Sequence, residues 1–144
     1  MSGGTNPDAA LCPVTFALDV FGDRWTLRVL RSILLDHRYS YKDLLASNSG
    51  IATNVLAERL SRLEARKLVT KTRDPTDARR FLYRPTERAI GTIPILLEMM
   101  IWSARHGNGH LDPSLLRRFE TDRRALIAEL EACVRDWNLE AQEG

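Results

Sequence analysis

The sequence contains only two cysteines, Cys12 and Cys133. They are too few for a disulfide framework and do not stand at zinc-ligand spacing. No stretch approaches the roughly 18 uninterrupted apolar residues of a membrane span. The opening MSGGTNPDAA has no positive charge and no apolar run, so it does not read as a signal peptide. Residues 1–11 are expected to form a disordered leader, and the expected compartment is the cytoplasm. There is no glycine-rich phosphate loop and no nucleophile elbow, and the serines and histidines stand in no fixed relation. No catalytic residue, enzyme activity or cofactor is therefore expected. His106 and His110 have a metal-like spacing, but Gly107 and Gly109 break the helix that would align their rings, so no metal is expected either. Repeats and low-complexity segments are also lacking. What remains is 144 residues, 44% hydrophobic and 28% charged, enough for one domain or for one domain with a helical extension.

A formal net charge of +2 is uninformative, but its distribution is not. Between Arg38 and Arg84, eleven basic side chains face five acidic ones, a net of +6, and both flanks are mildly negative. A solvated charged surface would not segregate in this way, whereas a footprint for phosphate would.

Hydrophobic periodicity divides the chain into short elements. Proline in a first turn and the face formed by Phe16, Ala17, Val20 and Phe21 predict a helix from Pro13 to Phe21, ended by Gly22. Asp23 is placed to cap a second helix reaching Leu35. A turn at Asp36–His37 and an extended piece at Arg38–Tyr39 follow. Ser40 and Asp43 then form a capping-box-like start to a third helix. After the small, polar turn Ala46–Gly50, a fourth helix runs from about Thr53 to Lys67. Leu56, Leu60 and Leu63 lie on one of its faces, and Thr53, Asn54, Ala57, Glu58, Ser61 and Arg62 on the other. Two short helices joined by a tight turn, the second with a polar outer face, describe a helix-turn-helix.

Leu68–Thr72 and Arg79–Arg84 alternate as strands around the turn residues Asp74–Ala78, which predicts a hairpin with a basic tip: a wing. Thr86 is placed to cap a long helix to about His106, kinked at Pro94 and apolar almost all round. A domain this small cannot cover such a helix alone. Beyond Asp112 a last amphipathic helix carries the stripe Leu115, Leu116, Phe119, Leu126, Leu130, Val134 and Trp137, with Cys133 expected in the core. The expected fold class is mainly α with a small β-hairpin wing, a winged helix-turn-helix with long flanking dimerisation helices. The domain is expected over residues 12–106, with a C-terminal helical extension over 107–144.

The segments CPVTFALDVFGDRWTLRVLRSIL, GIATNVLAERLSRLEARKLV and YRPTERA, in this order and spacing, resemble the HxlR family of bacterial winged-helix regulators from about Cys12 to His106. The resemblance implies a homodimer on pseudo-palindromic promoter DNA, responsive in some members to reactive small molecules or redox stress. Two departures concern the end of the wing. Pro85 replaces the family's leucine and Ala89 its glycine, so the return strand is expected to stop at Arg84.

In such a domain the fourth helix leads into the major groove with its N-terminal residues. Thr53 and Asn54 are the candidate base readers, and Glu58 is suited to accept from cytosine. Arg59 and Arg62 either touch phosphate or pair with Glu58. Lys42, Arg79 and Arg80 are expected to meet the backbone or minor groove, supplying salt-dependent affinity. Phe16, Ile95, Met99 and Trp102 are the candidate dimer interface, although the same surface would also suit packing against the last helix. Cys12 stands at a helix start, where orphan N–H groups favour a thiolate. Relatives that respond to redox stress carry their sensor there, while a buried structural role is the alternative. Two other functional classes remain open. One is a regulator that senses a small ligand in a cavity lined by Trp25, Phe81 and Trp102. The other is a winged-helix adaptor for protein contacts.

Overall fold

A computed structural model describes residues 12–107 and 109–143. The expected leader at residues 1–11 lies outside the described residues. The chain runs α1 (Pro13–Phe21), α2 (Thr26–Leu34), α3 (Tyr41–Ser47), α4 (Thr53–Ala65), β1 (Val69–Asp74), β2 (Asp77–Pro85), α5 (Glu87–Ile90), α6 (Ile93–His106) and α7 (Pro113–Glu143). This is a mostly helical winged helix-turn-helix fold with one antiparallel hairpin. No helix among the described residues is long and apolar enough to cross a membrane.

Local contacts set several of the helix ends. Gly22 caps α1 by donating its N–H to Leu18 O at 2.6 Å, and a Cβ at this position would stand 2.3 Å from that oxygen. The Asp23 carboxylate then accepts the otherwise orphaned N–H groups of Trp25 (2.9 Å) and Thr26 (3.0 Å), which starts α2. Ser40 Oγ accepts from Asp43 N at 3.1 Å and starts α3. The turn from α3 to α4 is fixed by the buried Asn48, whose Nδ2 donates to Leu44 O (2.8 Å) and Ser32 Oγ (3.2 Å). The chain then passes through Gly50 at φ +87°, a left-handed conformation that favours glycine. From there α4 turns Leu56, Leu60 and Leu63 into the core, and each burial stabilises by about 2 kcal/mol.

The hairpin corrects one expectation. β2 does not stop at Arg84; it continues to Pro85, which pairs with Val69. Successive N–H groups of a strand point to opposite sides. Tyr83 N–H donates away from β1, to Tyr39 O (2.8 Å), and Thr86 N–H donates back to Leu68 O (3.0 Å). Position 85 shares the side of Tyr83, so the donor that proline lacks is not one the ladder uses. Ser40, bridged to Leu82, places the predicted extended piece beside the hairpin.

The expected long helix with a kink at Pro94 is instead two helices. Thr86 caps α5, its Oγ1 accepting from Ala89 N (3.3 Å). The chain breaks at Gly91–Thr92, and α6 restarts with Pro94 in its first turn, where a missing N–H costs nothing. The last helix also differs from its expectation. Asp122 adopts φ −152°, ψ 81° inside α7, and its Oδ1 accepts from Ala125 N at 3.0 Å as a new cap. Phe119, Leu126 and Val134 from the two halves join the core. Cys133, expected in that core, is exposed. It sits at the edge of the stripe centred on Leu130 and Val134, with its sulfur 3.6 Å from His37 Nε2.

Candidate nucleic-acid interface

Thr53 and Asn54 are exposed at the start of α4, and Ala57 and Ser61 continue the same open face. The end of the helix is held by Tyr41 of α3, whose hydroxyl donates to Thr53 O at 2.8 Å. This bracing role of Tyr41 is revealed only by the folded turn.

The basic residues divide by whether an acid already holds them. Arg59 does not face outward. Its Nε donates to Asp23 Oδ1 at 2.8 Å, it also pairs with Glu58, and its side chain is 21% exposed. Of the two expected roles for Arg59, the structure favours pairing over phosphate contact. Burial pushes the Asp23 carboxyl up. The hydrogen bonds from Thr26 Oγ1, the Trp25 amide, Arg59 and the Thr26 amide outweigh that and hold it well below the usual carboxylate range. Arg62 approaches Glu58 at 3.8 Å, so Glu58 is engaged from both sides and is a weaker candidate for a base contact. Arg80 is tied to Asp74 through Nε (2.8 Å) and a second nitrogen (2.5 Å). The Thr76 amide and hydroxyl, together with Arg80, hold the Asp74 carboxyl down to about 2. Arg79 points out: its side chain is 94% exposed, with only a 3.5 Å approach to Asp77.

Lys42, Arg79 and Arg80 line one groove with Tyr41 and Phe81, between α3 and β2. The fold thus brings three of the expected backbone-contacting cations to one surface. On the other strand, Lys71 lies 4.4 Å and Arg73 4.9 Å from the centroid of Phe81. These two cations belong to the same basic block but were not singled out in the sequence. Their stacking on Phe81 needs the register Arg73↔Phe81, which composition does not reveal.

Away from this surface, α6 buries Ile93, Leu96, Leu97 and Ile101. On the same helix Ile95, Met99 and Trp102 remain 40%, 50% and 64% exposed, as does Phe16 of α1 at 60%. One side of α6 is covered by α7, with the ion pairs Arg105–Glu120 (3.0 Å) and Arg123–Glu98 (2.6 Å) across the join. The other side is open. Cys12 stands at the N-cap of α1, half-buried. Hydrogen bonds from the Thr15 amide and hydroxyl and from the Val14 amide pull its thiol down, against a smaller effect of burial. The three aromatics expected around one effector cavity line different surfaces instead. Phe81 lies in the α3–β2 groove, Trp102 borders a depression on α6, and Trp25 lies under the Arg28 guanidinium at 4.4 Å. They come from three separate parts of the chain.

Comparison with known proteins agrees with this geometry. An HTH-type transcriptional regulator of Halalkalibacterium halodurans, BH0655, is 26% identical over 96 residues, 67% of this chain and 85% of that protein. The HTH-type transcriptional regulator YodB of Bacillus subtilis is 27% identical over 94 residues, 65% of this chain and 83% of YodB. The reduced form of YodB superposes with a TM-score of 0.56 at 24% identity, covering 70% of this chain and 99% of that one, and YodB has also been solved after diamide treatment. The crystal structure of PA1607, described as a candidate transcription factor, gives a TM-score of 0.63 at 26% identity, over 72% of this chain and 69% of that one. The HxlR-like helix-turn-helix description matches residues 20–110, which take in both helices of the motif, the wing and α6. The chain belongs to the HxlR-like helix-turn-helix family of transcriptional regulators.

Proposed function

We propose that the protein is a homodimeric regulator that reads an inverted-repeat operator with α4 and responds to oxidants through Cys12. The observation that carries the reading is the open N-terminal face of α4, with Thr53 and Asn54 unobstructed, beside a groove where Lys42 and Arg79 reach solvent. Asn54 is suited to pair two-pronged with adenine, and Thr53 offers a hydroxyl and a methyl. Lys42, Arg79 and, less freely, Arg80 supply phosphate contacts. Phe16, Ile95, Met99 and Trp102 are the proposed dimer surface, and an inverted-repeat operator requires the two copies of α4 to stand about 34 Å apart. The lowered thiol of Cys12 supports the oxidant response. The basic surface argues against an adaptor limited to protein contacts. Sensing of a small ligand is a second reading, favoured by a cavity of about 380 Å³ where Arg28 and Arg31 face Leu96 and Met99.

The test is fluorescence anisotropy on a labelled fragment from upstream of the protein's own gene, against random DNA at fixed salt. Asn54→Ala is expected to lose roughly 1–3 kcal/mol on the operator alone. Arg79→Ala is expected to weaken both DNAs alike and to reduce the salt slope by about 1. Diamide is expected to release the wild type and to spare Cys12→Ser. Binding with no preference over random DNA, or equal losses for both variants on both DNAs, sinks the reading.

A further inference from the structure

The outer face of the hairpin carries aromatic rings that the core does not use. Side chains alternate along a strand, so Arg79, Phe81 and Tyr83 share one face of β2, while Leu82 between them is buried. The register sets Lys71 opposite Tyr83 and Arg73 opposite Phe81, on that same face. Phe81 is 36% exposed, and Tyr83 beside it is half-buried.

Among the described residues, the ion pairs of the hairpin are Arg79–Asp77 and Arg80–Asp74. Lys71 and Arg73 are left to the rings. Lys71 Nζ lies 4.4 Å from the Phe81 centroid and 5.9 Å from that of Tyr83, and the Arg73 guanidinium lies 4.9 Å from Phe81. Arg73 also donates to Ala78 O at 2.6 Å, which ties it across the turn. Phe81 and Tyr83 both line the groove of about 390 Å³ that Lys42 and Arg79 border.

An open strand face that interleaves aromatic rings with cations suits unpaired nucleotides. Every base has a π-face that stacks on an aromatic ring, and the phosphates follow the cations whatever the sequence. The spacing of the rings discriminates against a duplex. Two residues along a strand advance about 6.7 Å, roughly twice the ~3.4 Å rise per nucleotide of a duplex strand. Neighbouring bases therefore reach both rings only when splayed apart, which an unpaired strand allows and a stacked duplex does not.

We propose that this face of the hairpin is a binding site for single-stranded nucleic acid. Successive bases stack on Phe81 and Tyr83, while Lys42, Lys71, Arg73 and Arg79 hold the phosphates. The site differs in kind from operator reading by α4. It takes unpaired nucleotides of any sequence, and it stands whether or not an operator preference is found. Unpaired DNA and RNA offer the same base faces and phosphates, and the 2′-hydroxyl tells them apart.

The test is fluorescence anisotropy of the full-length protein at low salt with three labelled strands of about 15 nucleotides. They are an oligothymidylate, an oligouridylate, and an abasic strand that keeps the phosphates and lacks the bases. The wild type is expected to bind the better of the first two at least about tenfold more tightly than the abasic strand, the scale of one stacked base. Whichever is bound more tightly identifies DNA or RNA as the ligand. Phe81→Leu keeps an apolar side chain and removes the ring. It is expected to cut the advantage of bases over the abasic strand about tenfold, and Phe81→Trp is expected to restore it. Arg73→Gln is expected to weaken base-bearing and abasic strands alike and to flatten the salt dependence. A wild type that binds the abasic strand as tightly as the other two overturns the proposal, whether or not any variant folds. A base advantage that survives Phe81→Leu overturns it as well.

Discussion

The contact between Asp23 and Arg59 joins residues 36 positions apart, and its strength is open to a direct test. Asp23→Ala removes two things: the acceptor that starts α2, and the partner that draws Arg59 of α4 inward. Loss of an N-cap costs about 1 kcal/mol. A hydrogen bond to a charged group is worth about 1.5–3 kcal/mol when fully buried. Both side chains are 21% exposed and Glu58 competes for the guanidinium, so about 1 kcal/mol is appropriate here. The expected loss is about 2 kcal/mol, which for a chain of this size lowers the urea midpoint by about 1.3 M at an m-value near 1.5 kcal/mol/M. Asp23→Asn keeps the cap and loses only the pairing, so half of that loss is expected. The assay is urea unfolding followed by circular dichroism at one fixed protein concentration, because any self-association makes apparent stability depend on concentration. A double-mutant cycle with Asp23→Asn and Arg59→Met isolates the pair and should return a coupling of about 1 kcal/mol. A coupling indistinguishable from zero would refute the idea that Asp23 holds α4 against the turn between α1 and α2.

Two further outcomes follow from the same geometry. Asp23 and Asp74 both titrate below their usual range when folded. Their contribution to stability is therefore complete above the unfolded value of about 3.9 and is lost as the pH falls toward 2. Urea midpoints at pH 6, 4 and 3 should decline, less steeply in Asp23→Asn; a midpoint that holds or rises toward pH 3 contradicts the assignment. Trp102→Glu places a charge in the open apolar face of α6 and should turn the sedimenting species from the proposed dimer into a single chain with the circular dichroism spectrum retained. An unchanged sedimentation coefficient would remove α6 from the dimer surface.

Much of the architecture was legible because it is locally encoded. Pro13, Gly22, Asp23, Ser40, Gly50 and Thr86 punctuate the chain where turn and cap chemistry requires them, and Leu56, Leu60 and Leu63 phase α4 against the core. Readings that depended on what a side chain meets across space fared less well. Arg59 and Arg79 look alike in the sequence, yet one is drawn inward by a distant acid and the other is free. The phase of Cys133 along α7 is compatible with the apolar stripe. Its exposure depends on where α7 restarts after Asp122, which the phase alone does not show. In the sequence Pro85 looks like a strand terminator, because its effect depends on which side of the strand its missing donor faces, and that is a matter of register. The break at Gly91–Thr92 was obscured by the continuous apolar run on both sides of it.

The last helix reaches two different parts of the protein. Before Asp122, Glu120 engages Arg105 near the end of α6; just after it, Arg123 engages Glu98 in the middle of α6. Farther along, Arg135 and Asn138 grip Glu87 and Pro85 where the wing closes. The last helix, kinked at Asp122, therefore works as a crossbar between the surface proposed to meet a second copy and the hairpin proposed to meet DNA. Any free energy by which partner binding at α6 prefers one seating of α7 is felt at the wing, and DNA binding biases the α6 contact by the same amount. The hinge of that crossbar is a single residue, Asp122, whose carboxylate holds the far half in helical register. Communication between the two surfaces thus needs no change in the recognition helix itself.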